Sequence, residues 1–252
     1  MSSAVIESSK DGVFTITLNR PKQKNAMDFE LLKGLNDALK SAAGEKAPIV
    51  VIRGSGGAFC SGGDIVAFKD AEDAEALIDT LAGILHESIK MIRNIPAITI
   101  AVVEGVAVGA GVGLALACDL SIATEKTIMN MGYRRIGLTT DGGGSFFLPR
   151  ILGGQLFNEL YLLSRNVTME EAKRLGLINF VCEEGAVAAR LDELIGQLKA
   201  LPMETIGRYK DLVNHCLYFG LEAHLDRERH YVADLASKPL FKQRLEEFFQ
   251  RK

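Results

Sequence analysis

The sequence predicts an α/β fold, with a largely parallel sheet in its first part and a helical C-terminal region. Three observations predict it. Short runs rich in β-branched residues alternate with stretches of helical spacing as far as residue 124, the pattern of βαβ units. From Gln155 onward strand signals nearly vanish and helical spacing takes over. Two apolar strands in the first part leave through glycine-rich turns, at residues 58–65 and 104–111.

Each element has its own signal. Residues 13–18 alternate and are β-branched, a strand that Asn19-Arg20-Pro21 ends. Leu31, Leu32, Leu35, Ala38 and Leu39 give residues 28–43 helical spacing, with Asp28 as N-cap. Residues 49–53 are a short apolar strand closed by Gly54-Ser55-Gly56-Gly57. Residues 74–95 form a long amphipathic helix that Pro96 stops, and residues 97–103 the next buried strand. Residues 109–117 are small and apolar, a buried helix that starts at a glycine-rich turn, and residues 120–124 are another strand. Helices are expected at 156–163, 169–175, 187–201, 204–217 and 221–236, and the apolar residues of 221–249 suit a helix packed on the core or across a subunit contact.

Composition narrows the function. Hydrophobic residues are 48% and charged residues 24% of the 252, enough for a buried core. A net charge of -3 gives no reason to expect nucleic acid. The apolar stretch 97–117 is interrupted by Glu104, Gly105, Gly109, Gly111 and Gly113, which argues against a membrane span. The start of the chain lacks the basic and apolar regions of a signal peptide. Cys60, Cys118, Cys182 and Cys216 are scattered with no CxxC, so neither a metal site nor a disulfide framework is expected, and a reduced, cytoplasmic setting fits.

The two glycine-rich turns carry the chemistry. Ala58-Phe59-Cys60-Ser61-Gly62-Gly63-Asp64-Ile65 and Glu104-Gly105-Val106-Ala107-Val108-Gly109-Ala110-Gly111 each follow a buried strand. Glycine lets the backbone approach a ligand, and the first turn of a helix carries unpaired N–H groups. Side by side, two such turns aim two donors at one oxygen, which is an oxyanion hole. Each turn alone also reads as a simple chain reversal. Neither is a P-loop, and Gly109-Ala110-Gly111-Val112-Gly113 is not GxGxxG.

These turns, with three further segments, resemble the crotonase (enoyl-CoA hydratase/isomerase) superfamily. The others are Leu18-Asn19-Arg20-Pro21-Lys22-Gln23-Lys24-Asn25-Ala26-Met27, Ile136-Gly137-Leu138-Thr139-Thr140-Asp141-Gly142-Gly143-Gly144 followed by Leu148-Pro149-Arg150, and residues 168–178. The resemblance covers nearly the whole chain. It implies a spiral of ββα units over residues 1–185, and a helical region over 186–252 that serves oligomerisation and covers the substrate. It implies homotrimers or homohexamers acting on an acyl-CoA thioester, with coenzyme A entering as part of the substrate and no separate cofactor. By the same resemblance the oxyanion donors are the N–H groups of Gly63 and Ala110. Lys22, Lys24, Ala26, Ser61, Gly62, Asp64 and Ile65 would hold coenzyme A, with Asp64 also shaping its turn.

A family hydratase carries two glutamates. Here Gly113 and Tyr133 stand in their places, so water addition by the usual pair is not expected. Asp141 stands where some family isomerases and dehalogenases carry an aspartate that faces the substrate. An apolar pocket would raise its pKa toward that of a general base at neutral pH, although an aspartate before glycines also makes an Asx turn. The resemblance therefore implies an enoyl-CoA isomerase with one aspartate base, in which Tyr133→Phe does much less than Asp141→Asn unless the Tyr133 hydroxyl is an acid partner. The alternatives are a hydratase with an atypical base, a decarboxylase on a CoA or carrier-protein thioester, and a non-catalytic CoA-binding member. His230 is a weaker candidate, since some crotonase-like decarboxylases use a histidine from this region. Lys242 and Arg244 are candidates for the coenzyme A phosphate, and Arg134-Arg135 for substrate phosphates or a plain exposed pair. Cys60 is expected to be packing.

Overall fold

The computed structural model of the chain describes residues 3–250. Strand β1 (Val5–Lys10) forms an antiparallel hairpin with β2 (Val13–Leu18). From β2 onward the sheet is parallel. β3 (Ile49–Gly54) pairs with β2, and β4 (Ile98–Val103) pairs with β3. β4 runs on into the three-residue β5 (Val106–Val108), which lies in a second, smaller sheet. β6 (Leu120–Thr124) returns to β4, and β7 (Ile128–Asn130) steps out to β5. β8 (Val167–Thr168) closes the small sheet and β9 (Phe180–Cys182) the large one, giving orders β1-β2-β3-β4-β6-β9 and β5-β7-β8. Isolated parallel bridges, Met27 to Gly63 and Cys60 to Ala107, carry the small layer back to the segments that follow β2 and β3. Each turn of chain thus lays one strand in the large sheet and one short piece in the small layer, and the next turn stacks beside it.

The helices fill the returns. α1 (Phe29–Gly44) starts where the Asp28 carboxylate accepts the Leu31 N–H at 2.9 Å, and it buries the Leu31, Leu35, Leu39 stripe. α2 (Ile65–Asp70) and α3 (Ala74–Asn94) lie between β3 and β4, and α4 (Ala110–Ala117) between β5 and β6. α5 (Gly144–Leu152), α6 (Gly154–Leu163) and α7 (Met169–Arg174) precede β9. α8 (Val187–Leu198), α9 (Met203–Leu217), α10 (Leu221–Ala236) and α11 (Pro239–Gln250) complete the described chain.

The inner strands β3 and β4 are buried on both faces, which explains their continuous apolar runs. Val50 and Ile52 of β3 join one core with α1 and α3, whereas Ile49 and Val51 join another with Val187 and Leu194 of α8. Leu221, Leu225 and Val232 of α10, and Phe241 and Leu245 of α11, belong to the same core as Ile78, Leu81 and Leu85 of α3. Each such leucine contributes about 1.5–3 kcal/mol of burial, so the last helices are pinned over the middle of the chain.

The predicted parallel sheet and helical C-terminal region are both present. β1 was not predicted, because five of its six residues are exposed and nothing in Ile6-Glu7-Ser8-Ser9-Lys10 needs a core face. The 221–249 stretch is two helices, divided at Pro239, whose ring cannot continue a helix. The second glycine-rich turn contains a strand, β5, and α5 was obscured by its glycines and by Pro149.

Candidate active site

A cavity of about 540 Å³ opens between the first glycine-rich turn, the start of α4, α3 and the segment before α5. All of the candidate residues Lys22, Lys24, Ala26, Ser61, Gly62, Gly63, Asp64, Ile65, Ala110 and Asp141 line it. Lys22 and Lys24 are exposed at its mouth. Ile78, Leu81, Ala82 and Leu85 of α3, with Val232 of α10, give it an apolar wall.

The segment after β2 is held on the first turn by hydrogen bonds. Asn25 is wholly buried; its amide donates to the carbonyls of Ser55 (3.0 Å) and Ala58 (2.6 Å), and its oxygen accepts the Arg20 N–H. Arg20 donates to Asp64 Oδ2 at 2.9 Å, while Asp64 Oδ1 caps α2 through the N–H groups of Val66 and Ala67. Asp64 is therefore committed to the turn, although it also lines the cavity. Backbone bonds from Ser61 to Lys24, Met27 to Gly62 and Asp64 to Met27 lay the two segments side by side.

That ladder leaves the Gly63 N–H without an acceptor among the described residues, and the Ala110 N–H at the start of α4 is likewise free. The two turns touch: a Cβ on Gly62 would lie 3.7 Å from the Ala110 nitrogen. Gly63 has no room for a side chain, since a Cβ there would meet the Phe68 ring at 2.5 Å. Two unpaired N–H donors, one at the positive end of a buried helix, thus belong to residues that line the cavity. Preorganised N–H donors are what a developing oxyanion needs.

Asp141 lines the same cavity. The Tyr133 hydroxyl donates to its Oδ1 at 2.5 Å and also approaches its backbone carbonyl at 3.1 Å. Burial pushes the Asp141 carboxyl up to about 7; the Tyr133 bond pulls it down and the nearby Glu228 charge pushes it up. Burial and the neighbouring Asp141 charge raise the Tyr133 hydroxyl well above its ordinary value, so it is a donor. The position of Gly113 is filled: a Cβ there would fall 2.0 Å from the Gly142 carbonyl oxygen. No carboxylate fits at that position.

Residues 140–145 are clamped from behind. Glu228 of α10 accepts the N–H groups of Gly143 (2.7 Å) and Ser145 (2.9 Å). His86 of α3 accepts the Gly142 N–H at Nε2, 3.1 Å away, which puts its proton on Nδ1. Burial lowers the imidazole to about 3, so it is neutral.

The other candidates lie elsewhere. His230 is exposed, with its ring against Tyr231, and does not line the cavity. Lys242 is exposed and Arg244 pairs with Glu247 at 2.8 Å; neither lines the cavity. Arg135 does line it and is tied to Ser164, whereas Arg134 is exposed. Cys60 is buried beneath the turn, where burial pushes its thiol up to about 12. Glu228 and His86 were not singled out in the sequence. The available signal was a charged residue on an apolar stripe: Glu228 follows Leu221 and Leu225 and precedes Val232 at helical spacing, and His86 sits between Ala82 and Ile89. Among the described residues no group of three or more His, Cys, Asp or Glu side chains is placed to hold a metal, and no helix is long and apolar enough to cross a membrane.

The profile of the enoyl-CoA hydratase/isomerase family matches residues 8–252. The chain is 32% identical to 4-chlorobenzoyl coenzyme A dehalogenase-2 of an Arthrobacter species, over 94% of this chain and 87% of that protein. It is 29% identical to 1,2-epoxyphenylacetyl-CoA isomerase of Escherichia coli, over 92% of this chain and 89% of that one. Its fold matches the crystal structure of an enoyl-CoA hydratase from Bacillus halodurans with a TM-score of 0.90 at 27% identity, covering 97% of this chain and 100% of that one.

Proposed function

Since the chain belongs to the enoyl-CoA hydratase/isomerase family, we propose that it moves a carbon–carbon double bond in an acyl-CoA thioester with one carboxylate base, Asp141. The observation that carries this reading is a carboxyl raised toward neutrality by burial, on the same cavity as two free N–H donors, while the other cavity carboxylate, Asp64, is engaged by Arg20 and the start of α2. A 3-enoyl thioester would bind with its carbonyl oxygen on the N–H groups of Gly63 and Ala110. Asp141 takes a proton from the carbon next to the carbonyl, the electrons spread over the thioester oxygen and the double bond, and Asp141 returns the proton at the far end. The double bond ends in conjugation with the thioester, and no co-reactant is consumed. The filled position at Gly113 favours this over hydration, because no second carboxylate is present there to activate water. The exposed Lys22 and Lys24 suit the phosphates of coenzyme A, and the apolar wall from α3 and α10 suits an uncharged acyl group.

Similarity to the Arthrobacter dehalogenase favours a second reading, loss of halogen from an aryl-CoA. A panel of 3-enoyl-CoA, 2-enoyl-CoA and 4-chlorobenzoyl-CoA separates the two. The proposal expects conversion of 3-enoyl to 2-enoyl thioester, little hydration of 2-enoyl-CoA and no chloride. Brisk hydration without isomerisation, or chloride release, overturns it, and binding without turnover of any member points to a non-catalytic role.

A further inference from the structure

Glu228 is a carboxylate on the buried face of α10, only 4% exposed, and it faces the back of the segment that carries Asp141. Its oxygens accept four groups: the Gly143 N–H at 2.7 Å, the Ser145 N–H at 2.9 Å, the Ser145 hydroxyl at 2.5 Å and the Thr140 hydroxyl at 3.5 Å. The two N–H groups belong to the start of α5, where a helix carries positive charge and welcomes an anion. Gly142 and Gly143 have φ of 62° and 80°, a turn that glycine adopts without strain. Their N–H groups point away from Asp141 into helices α3 and α10. Without His86 and Glu228 as acceptors they would be buried and unpaired, which costs about 1–3 kcal/mol each.

Among the described residues, hydrogen-bond donors and no cationic partner surround the Glu228 carboxylate. Asp141 and Tyr133 face it from the cavity side. His224, one turn back on α10, is 3.8 Å away and shares the Ser145 hydroxyl at 2.9 Å; burial lowers its pKa, and so does the charge of Arg150. His86 faces the same segment from α3 and is neutral. Among the described residues no lysine or arginine pairs with Glu228. Burial pushes Glu228 above the ordinary carboxylate range, while its bonds to Ser145 and Gly143 pull it back.

We propose that Glu228 is a positioning residue for the proton transfer: it pins residues 140–145 so that Asp141 stays turned to the cavity that Gly63 and Ala110 also line. The inference rests on Asp141 being the transferring group. The charge of Glu228 also pushes the Asp141 pKa up, so the titration of Asp141 is a readout that does not depend on turnover.

The test is Glu228→Gln in the full-length protein, with Asp141→Asn beside it. Carbon-13 aspartate labelling gives the carboxyl titrations, and the signal missing in Asp141→Asn is that of Asp141. In Glu228→Gln its midpoint is expected to fall by on the order of one pH unit. The acid limb of kcat/KM moves down with it, and kcat falls on the order of 10–100-fold through the loosened segment, with acyl-CoA binding within about threefold. An unmoved midpoint in a natively folded Glu228→Gln overturns the proposal. Should that variant not fold, Glu228→Asp keeps the charge and displaces the hydrogen bonds. It is expected to lower kcat without moving the limb, and wild-type kcat there overturns the proposal. Full turnover by Asp141→Asn would instead defeat the single-base reading, while the titration of Asp141 in Glu228→Gln would still report whether Glu228 acts on Asp141.

Discussion

Asp141 sits between two opposing influences. Burial and the charge of Glu228 favour its protonated form, and the Tyr133 hydroxyl favours the carboxylate. From the sequence, Tyr133→Phe is expected to cost much less than Asp141→Asn unless its hydroxyl is a partner in the chemistry. The 2.5 Å bond to Oδ1 gives the hydroxyl a definite part in tuning Asp141. Removing the hydroxyl leaves the ring packed near Gly109 but takes away the bond that does most to draw the Asp141 pKa down. The acid limb of kcat/KM, set near pH 7 by Asp141, is therefore expected to move to higher pH in Tyr133→Phe, by on the order of one unit. Activity would be lost most at pH 6 and recovered toward pH 9. A pH–rate profile measures this, and a limb that stays in place would show that the Tyr133 bond does not tune the base. Asp141 was singled out through the family resemblance, since an aspartate before three glycines by itself reads as an Asx turn. Its partners Glu228 and His86 were not, because a charged or polar residue on an amphipathic helix reads as surface unless its place on the apolar stripe is checked.

At the scale of elements, α4 and the turn before α5 occupy each other's space. A Cβ on Gly113 would stand 2.0 Å from the Gly142 carbonyl oxygen, so α4 can approach the Asp141 segment only as glycine. The absence of a carboxylate there is thus a condition of how this site is built. Gly113→Glu is expected to produce no hydratase. The side chain must push the segment away, at about 1–3 kcal/mol or more, lowering Tm by roughly 4–10 °C and removing isomerisation because Asp141 moves with Gly142. Thermal denaturation with an assay for 2-enoyl-CoA hydration checks both parts, and a folded, hydrating Gly113→Glu of unchanged Tm would contradict them. The elements with a strong period, such as α1 and α3, were legible from apolar spacing. β1 was not, since an edge strand with an exposed face satisfies its backbone through β2 and asks little of its side chains.

For the whole molecule, the spiral gathers what the sequence disperses. Met27 bridges to Gly63 and Cys60 to Ala107, so segments that follow successive strands of the large sheet lie side by side, and their free N–H groups belong to residues that line one cavity. α3 and α10 share one core, and from there they supply the apolar wall, His86 and Glu228. The glycine-rich turns announced the two donors. The packing of the last helices over the site was not readable, because an apolar stripe shows that a helix is covered and not what covers it. The central claim is that one carboxyl, Asp141, moves the proton while the Gly63 and Ala110 N–H groups hold the oxygen. It is tested most directly by the turnover of 3-enoyl-CoA by Asp141→Asn against the wild type, with the affinity for a saturated acyl-CoA measured on both. The expected result is a loss of about 10²–10⁴-fold in kcat with little change in affinity; wild-type turnover by Asp141→Asn would contradict the account.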